Sequence, residues 1–384
     1  MLLSRRHILL GSLALPAVAA KKIGPERPNV LLLIADNVPQ WVLGAFGNKE
    51  IRTPHLDRLA QTGSRFHAHM ASAPAAAPSR GSLLTGLAPG KTGPAIDTVM
   101  TPAGYTCNPG IDSAAAGRVI DGAVAGKPFF AIVNLSSPRA PYDGVAQKYL
   151  DLYAQTKFDT FNPDPPAPNA RAGKEMLADT IGSLRKYAAA VTAMDDEIQG
   201  MLSKITQRKL VDDTLVIFTS TCGALLSHHG LWDAGEGSDP VNMYEESVST
   251  PMIWCWPGRV PSQGVRPEIV SGYDLVPTLC DLLSVERPAG NLCGRSYALL
   301  ATGKPLPKKQ RWLGAVYAQL QNTRMARDER YKLVEREGAA GELYDLVADP
   351  TERANQYENG QYLTVKAKLS GELTAWKQKY SVQA

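Results

Sequence analysis

The chain has 384 residues, of which 44% are hydrophobic and 20% are charged, so it can bury at least one large core. This composition excludes a disordered or fibrous protein. Lys and Arg number 41 against 37 Asp and Glu, a formal net charge of +4, which gives no electrostatic case for binding nucleic acid or an anionic membrane. The five cysteines are scattered without a C-x-x-C pair and predict neither a disulfide framework nor a zinc site.

The N-terminus carries an export pattern. Arg5 and Arg6 precede an apolar run over residues 8–20, which ends in small residues suited to a signal peptidase. We interpret residues 1–20 as a twin-arginine-type signal peptide, and expect a periplasmic or secreted protein. An uncleaved helical anchor or a buried first helix is the alternative. We expect no transmembrane segment after the signal, because no later stretch has about 18 consecutive apolar residues.

Apolar runs of strand length then alternate with segments of helical period. Residues 29–36 (NVLLLIAD) form a nearly continuous run of Val, Leu and Ile, which is typical of a strand covered on both faces. Further buried strands are predicted at 129–135, 214–221 and 252–256, and helices at 54–60, 181–202 and 273–283. This order predicts an α/β fold with a mainly parallel central sheet between helices.

The pattern changes after about residue 305. Short strand-like segments at 311–320, 331–335 and 342–346 are joined by polar turns and followed by a helical segment at 363–379. They predict a small antiparallel α+β subdomain with a helix packed on its sheet. After the signal peptide we therefore expect an α/β domain over 21–305 and a C-terminal subdomain over 306–384.

Ten segments occur in a fixed order along the chain. They are RPNVLLLIADN at 27–37, IRTPHLDRLAQTGSRF at 51–66, APSRGSLLTG at 77–86, KPFFAIVNLSSPRAPYD at 127–143, YAAAVTAMDDEI at 187–198, LVIFTSTCG at 215–223, HGLW at 229–232, MYEES at 243–247, YDLVPTLCDLL at 273–283 and ELYDLVADPTER at 342–353. Together they resemble the sulfatase family of the alkaline phosphatase superfamily, and they span almost the whole chain after the leader.

The resemblance implies a particular set of active-site groups. In active members a divalent cation, usually calcium, is held by oxygen ligands and neutralises the sulfate oxygens. A formylglycine made from Cys or Ser attacks sulfur as its hydrate. Basic side chains hold the charge that develops. Each of these groups corresponds to a position in this chain.

The nucleophile position is altered. The family motif reads C-x-P-S-R or S-x-P-S-R, and the same frame here reads Ala76-Ala77-Pro78-Ser79-Arg80. Alanine has no heteroatom with which to attack. Ser79 matches the motif's own serine, for which we expect a structural role as an N-cap or first-turn hydroxyl of the following helix. Arg80, which supports the nucleophile and metal in the family, can here pair with Asp36.

The four metal-ligand positions are Asp36, Asn37, Thr221 and Cys222, where the family has two adjacent aspartates and then Asp followed by His or Asn. Three formal charges have become one. Because Ca²⁺ prefers about six to eight oxygens, several of them anionic, we expect no bound calcium and no other cofactor. Zn²⁺ held by Cys222, Asp36 and His229 is an alternative. The simpler interpretation of Cys222 is a small buried apolar residue.

The basic groups are also altered. The family's Pro-His-x-Pro is here Pro138-Arg139-Ala140-Pro141, and the lysine expected after HGLW falls on Ala234. His229 matches the family's histidine in that motif. With Arg80 and Arg139 it can form an anion-binding hollow, or all three can be surface or ion-paired residues. Adjacent loop residues seldom point the same way, so we expect His228 to face solvent.

Three functions stay open at this point, and with them the question of whether the chain is an enzyme. The first is an exported, sulfatase-like pseudoenzyme without sulfate ester hydrolase activity, whose partner is a sulfated glycan or an active sulfatase. The second is a sulfuric or phosphoric ester hydrolase with a displaced, atypical site that uses Ser79 or a metal-bound water. The third is a purely structural protein.

Overall fold

The computed structural model of the protein describes residues 27–136, 138–307, 312 and 314–380. The signal peptide expected at residues 1–20 therefore lies outside the described residues. Within them, none of the helices has the length and apolar character needed to cross a bilayer.

A seven-stranded sheet forms the centre of the molecule. In chain order its strands are β1 (Asn29–Ala35), β2 (Ser64–Met70), β3 (Thr106–Ile111), β4 (Phe129–Asn134), β5 (Thr214–Ser220), β6 (Met252–Cys255) and β7 (Gly264–Ser271). Their order across the sheet is β3-β4-β1-β5-β6-β2-β7, and only β6 runs antiparallel to its neighbours. The predicted mainly parallel central sheet is confirmed.

Helices cover both faces of this sheet. In chain order they are α1 (Pro54–Thr62), α2 (Ala76–Thr85), α3 (Asp97–Met100), α4 (Ser113–Asp121), α5 (Gln147–Asp151), α6 (Lys174–Ala178), α7 (Thr180–Gln207), α8 (Glu245–Val248), α9 (Leu275–Leu283), α10 (Ala298–Ala301) and α11 (Leu363–Lys379). Strand β1 explains why two layers are needed. Leu31 and Leu33 pack with α1, α4 and α7, whereas Val30, Leu32 and Ile34 pack with α2 and α9.

The C-terminal region forms the predicted small antiparallel sheet. Its strands are β8 (Val316–Leu320), β9 (Thr323–Arg327), β10 (Tyr331–Arg336) and β11 (Glu342–Asp345), in the order β11-β10-β9-β8. One face packs on α11 through Leu369, Leu373 and Trp376. The other face packs on the main domain, where Met325 and Val334 meet residues of β2 and β7.

The sequence patterns missed strand β3. No strand is predicted between residues 61 and 128, but Thr106–Ile111 pair with β4 before α4 begins. The segment TCNPGI contains Pro109 and Gly110, both unfavourable for a central strand. It is tolerated here because β3 lies at the edge of the sheet, where one side of the strand needs no partner.

Candidate functional site at the carboxyl ends of β1 and β5

Four of the predicted site residues meet at one edge of the central sheet. Strands β1 and β5 are parallel neighbours, and Ala35 lies opposite Ser220. The residues that follow them, Asp36 and Asn37 after β1 and Thr221 and Cys222 after β5, are therefore side by side. In open α/β sheets this edge is where ligands bind.

The carboxylate of Asp36 is the centre of the cluster and is only 4% exposed. Its Oδ1 accepts hydrogen bonds from Nη2 of Arg80 at 2.8 Å and from Oγ1 of Thr221 at 2.6 Å. Its Oδ2 accepts from Nη2 of Arg139 at 2.7 Å. Burial acts to raise the pKa of Asp36, but the Thr221 hydroxyl and the two guanidinium groups outweigh it and hold the pKa below its ordinary value.

The two arginines differ in their access to solvent. Arg80 projects from the first half of α2, its side chain is 25% exposed, and it also donates to Oδ1 of Asn134 at 2.5 Å. Arg139 lies in the loop after β4, and its side chain is 73% exposed. The expected pairing of Arg80 with Asp36 is present. Arg139 adds a second cation, so the cluster of Asp36, Arg80 and Arg139 carries one net positive charge.

Asn37 and Cys222 are linked to each other. The thiol of Cys222 donates to Oδ1 of Asn37 at 3.2 Å, and the hydroxyl of Tyr187 donates to the Asn37 carbonyl at 2.9 Å. Asn37 has a left-handed backbone (φ 58°), which Asn tolerates better than most residues. Burial raises the pKa of Cys222 to about 11, so its sulfur stays a protonated thiol at neutral pH.

This donor set does not fit calcium. The ion prefers about six to eight oxygens with several negative charges, and the four ligand positions offer one carboxylate. Both oxygens of that carboxylate already accept hydrogen bonds from guanidinium groups, and the Asn37 amide oxygen accepts from a thiol. For zinc, the described residues contain no cluster of three or more His, Cys, Asp and Glu side chains that could bind a metal ion.

Ala76 is the first residue of α2, and its methyl group offers no nucleophile. Ser79 lies in the first turn of this helix, as expected, but it is not the N-cap. That position belongs to Ala75, which has no capping side chain. Ser79 is 2% exposed, so its hydroxyl is poorly placed for attack on a substrate.

His229 belongs to a separate cluster. Its ring stacks on Tyr244 with centroids 3.6 Å apart, its backbone N–H donates to Asp164 at 2.7 Å, and its Nε2 lies 4.0 Å from Oε2 of Glu246. Burial lowers the pKa of His229 to about 4, so the ring is neutral at physiological pH. None of the contacts of His229 among the described residues reaches Asp36, Arg80 or Arg139.

The expectation that His228 faces solvent is wrong. Its Nδ1 lies 3.1 Å from Oε1 of Glu246, its Nε2 lies 2.7 Å from the Phe161 carbonyl oxygen, and its ring stacks on Trp41. Both histidines approach the same carboxylate because His229 adopts a left-handed backbone (φ 55°), which breaks the alternation of side-chain directions. No sequence pattern indicated Glu246 as their common partner.

Sequence reasoning missed three other residues near Asp36. Asn134 ends β4 and holds Arg80, and Tyr187 on α7 fixes the backbone of Asn37. Asp233 is half-buried, and burial raises its pKa; its negative charge also adds to the raised pKa of Cys222. Asn134 is the one with a usable signal, since it is a polar residue near the carboxyl end of a predicted buried strand.

The mainly parallel central sheet with flanking helices and the small antiparallel C-terminal sheet match the alkaline phosphatase-like fold of sulfatases. The chain belongs to the sulfatase family, because the family model described as "Sulfatase" matches residues 28–110 and 112–285. A second model, "N-sulphoglucosamine sulphohydrolase, C-terminal", matches residues 229–379.

Similar proteins agree with this assignment. The chain is 23% identical to an "Ulvan-active sulfatase" of Formosa agariphila, an alignment that covers 91% of this chain and 81% of that relative. It is 23% identical to the choline-sulfatase of Rhizobium meliloti, with 87% and 83% covered. Arylsulfatase A of Bos taurus is 26% identical, with 75% and 71% covered.

Two solved structures share the fold. One is the structure of a protein in complex with its substrate D-glucosamine-2-N,6-O-disulfate; it has a TM-score of 0.78 and 19% identity, with 92% of this chain and 98% of that chain covered. The phosphonate monoester hydrolase of Agrobacterium radiobacter has a TM-score of 0.74 and 19% identity, with 92% and 96% covered.

Proposed function

We propose that this chain is an exported sulfatase-family pseudoenzyme that binds sulfated ligands without hydrolysing them. The observation that carries the proposal is the Asp36 carboxylate, which is paired with Arg80 and Arg139 at the positions where active members hold a metal ion. Hydrolysis in this fold needs an attacking atom and a Lewis acid. Ala76 supplies no attacking atom, and the ligand positions supply one carboxylate that is already neutralised.

The activation barrier indicates how much catalysis is lost without these groups. Enzymes of this kind lower an activation barrier by roughly 8–23 kcal/mol, and covalent attack and charge stabilisation supply most of that. The two arginines can still stabilise negative charge, but they have no nucleophile to assist. Electrostatic attraction without a nucleophile gives binding and not turnover.

Arg139 is the residue that we expect to contact a ligand. Its guanidinium is largely exposed although one nitrogen is bonded to Asp36, so the remaining N–H groups can donate to a sulfate. The single positive charge of the cluster favours an anion. The similar structure that holds D-glucosamine-2-N,6-O-disulfate as substrate supports a sulfated glycan as the ligand class. An active sulfatase is the other partner we consider.

Ser79 gives no support to a hydrolase with a displaced site, because this residue of α2 is only 2% exposed. An activity measurement distinguishes such a hydrolase from the proposed pseudoenzyme. The test is to assay the purified mature chain against aryl sulfates and aryl phosphates, and in parallel to titrate it with D-glucosamine-2-N,6-O-disulfate. We expect no hydrolysis above the buffer rate, and binding that Arg139→Ala weakens.

Arg287→Ala is the matched control for that titration, because Arg287 is also exposed and paired with an aspartate, Asp281. It should leave binding unchanged. Turnover that persists after extensive chelation and survives Ser79→Ala would refute the pseudoenzyme proposal. Equal loss of binding in Arg139→Ala and Arg287→Ala would refute the proposal that Arg139 contacts the ligand.

Export is part of the same proposal and has its own test. Replacing both Arg5 and Arg6 by Lys should stop translocation through a twin-arginine pathway while leaving expression unchanged. Fractionation of cells that express each form would measure this. Unaltered export of the double variant would contradict the twin-arginine interpretation of residues 1–20.

A further inference from the structure

A cavity lies at the edge of the central sheet opposite the Asp36 cluster. Its volume is about 620 Å³, and its lining includes Arg27, Arg259 and Lys304. Arg27 precedes β1 and Asp36 follows it, so an extended strand rising about 3.3 Å per residue separates them by roughly 30 Å. This cavity, here called the amino-edge pocket, is therefore distinct from the Asp36 site.

Three separate parts of the chain bring the cations together. Strand β6 is antiparallel to β5, so Arg259, which follows β6, lies near the residues that precede β1. Helix α9 runs back across the sheet and ends beside the pocket at Leu283 and Ser284. Lys304 follows α10, where its backbone N–H bonds to the Leu299 carbonyl.

The charge of the pocket is of one sign. All three ionisable side chains that line it are cationic, and no carboxylate of the described residues is part of the lining. The guanidinium of Arg259 lies over the Trp256 ring at 5.4 Å from its centroid, a cation–π contact that fixes its position. The hydroxyl-bearing residues Ser284 and Thr302 complete the polar part of the wall.

One part of this positive charge has a structural use. Helices α9 and α10 both end near the pocket, and the carbonyl ends of helices favour nearby cations. This stabilisation by a cation is small at an exposed helix end, and one cation per helix is enough to provide it. It does not explain a concave surface in which three cations face a common space.

We propose that the amino-edge pocket binds a small polyanion that carries two or more sulfate, phosphate or carboxylate groups. A volume of about 620 Å³ suits a ligand of one or two sugar rings. The cations come from three separate segments of the pocket wall, so a ligand with several anionic groups can contact more of them than a single ion can. This site is independent of the function proposed for the Asp36 cluster.

The test is a calorimetric titration of the full mature chain at low salt with two probes, inositol hexakisphosphate and D-glucosamine-2-N,6-O-disulfate. Both should bind in wild type, and both should still bind in Arg139→Ala, where the Asp36 site contributes less; the lysine variants that follow are therefore made in the Arg139→Ala background. Lys304→Glu should weaken binding by about tenfold or more, because it replaces an attractive charge by a repulsive one.

Lys304 is exposed, so its replacement should not affect folding, and an unchanged melting temperature of the variant verifies this. Lys209→Glu, at an exposed lysine that is not part of the pocket lining, is the matched charge control and should bind like wild type. The proposal is overturned if neither probe binds the Arg139→Ala chain at millimolar concentration. It is equally overturned if Lys304→Glu and Lys209→Glu bind alike.

Discussion

Two clusters in this protein neutralise a buried charged side chain in different ways. The Asp36 cluster places one carboxylate between Arg80 and Arg139, and Arg139 extends into solvent. The second group, here called the joint cluster, lies where the small sheet meets the main domain. It consists of Lys332, Arg327, Glu245 and Glu352, and Lys332 is fully buried.

The joint cluster is balanced and closed. The Nζ of Lys332 donates to the Met243 carbonyl at 2.7 Å and pairs with Glu245 at 3.2 Å and with Glu352. Two cations meet two carboxyl groups that are all largely enclosed in the fold, so the cluster offers no exposed charge to a ligand. The Asp36 cluster has one cation in excess and an exposed arginine. The difference indicates that the joint cluster fastens the small sheet to the main domain, whereas the Asp36 cluster, under the function proposed above, meets an anion.

The largest expected effect is at Lys332. Lys332→Met keeps most of the side-chain volume but leaves two carboxylates buried without their shared cation. We expect a loss of about 3–5 kcal/mol in the free energy of unfolding, measured by urea titration. Lys368→Met is the matched control. Its ion pair with Asp328 is half-exposed and should be worth at most about 1 kcal/mol. Equal losses in the two variants would contradict the structural role of the joint cluster.

The next effect concerns pH and two histidines near the joint. Burial lowers the pKa of both His69 and His229 to about 4, from an ordinary value of 6.5. Between these pH values the unfolded chain binds protons that the folded protein excludes, so stability falls as pH drops from 6.5 to 4. Each histidine should contribute on the order of 3 kcal/mol to this fall.

Unfolding measured at pH 7, 5.5 and 4.5 tests this expectation. His69→Gln should flatten the decline by on the order of 2–3 kcal/mol, because its side chain cannot gain a proton in the unfolded chain. His67→Gln, at an exposed position of the same strand, should follow the wild-type profile. If the His69→Gln profile is as steep as that of wild type, buried His69 is not a source of acid sensitivity.

A smaller change is expected when the missing nucleophile is restored. Ala76→Cys, expressed in a host that makes formylglycine, should show no arylsulfatase activity. A formylglycine hydrate needs a metal and suitably placed cations, and Asn37, Thr221 and Cys222 remain. The matched Ala77→Cys variant sets the background rate. Activity of Ala76→Cys above that background would mean that the Asp36 cluster can still support the chemistry.

The sequence was sufficient for the scaffold and for part of the site. The apolar run of β1 and the apolar spacing in α7 reflect which faces of these elements are buried, and local hydrophobic patterns predict that well. The ion pair of Arg80 with Asp36 was also expected, because a lost metal leaves a carboxylate to be neutralised. Arg139 was expected as a basic residue of the site, but its bond to Asp36 depends on a loop conformation that no pattern encodes.

The positions of the two loop histidines show what sequence patterns could not predict. His228 and His229 are adjacent, and alternation of side chains predicted different directions for them. The left-handed backbone of His229 brings both rings to Glu246, which is 17 residues away from it in the chain. Strand β3 was missed for a similar reason. Its residues are poor strand formers, and only the tertiary position at a sheet edge permits them.

The most direct test of the account is the response of the folded protein to calcium. Because one neutralised carboxylate and weak neutral ligands cannot compensate for the ion's lost hydration, millimolar calcium should leave the melting temperature unchanged after prior chelation. Asp36→Ala serves as the reference, since it removes the only carboxylate among the ligand positions. A rise of several degrees in wild type that vanishes in Asp36→Ala would contradict the account and favour a metal-dependent hydrolase.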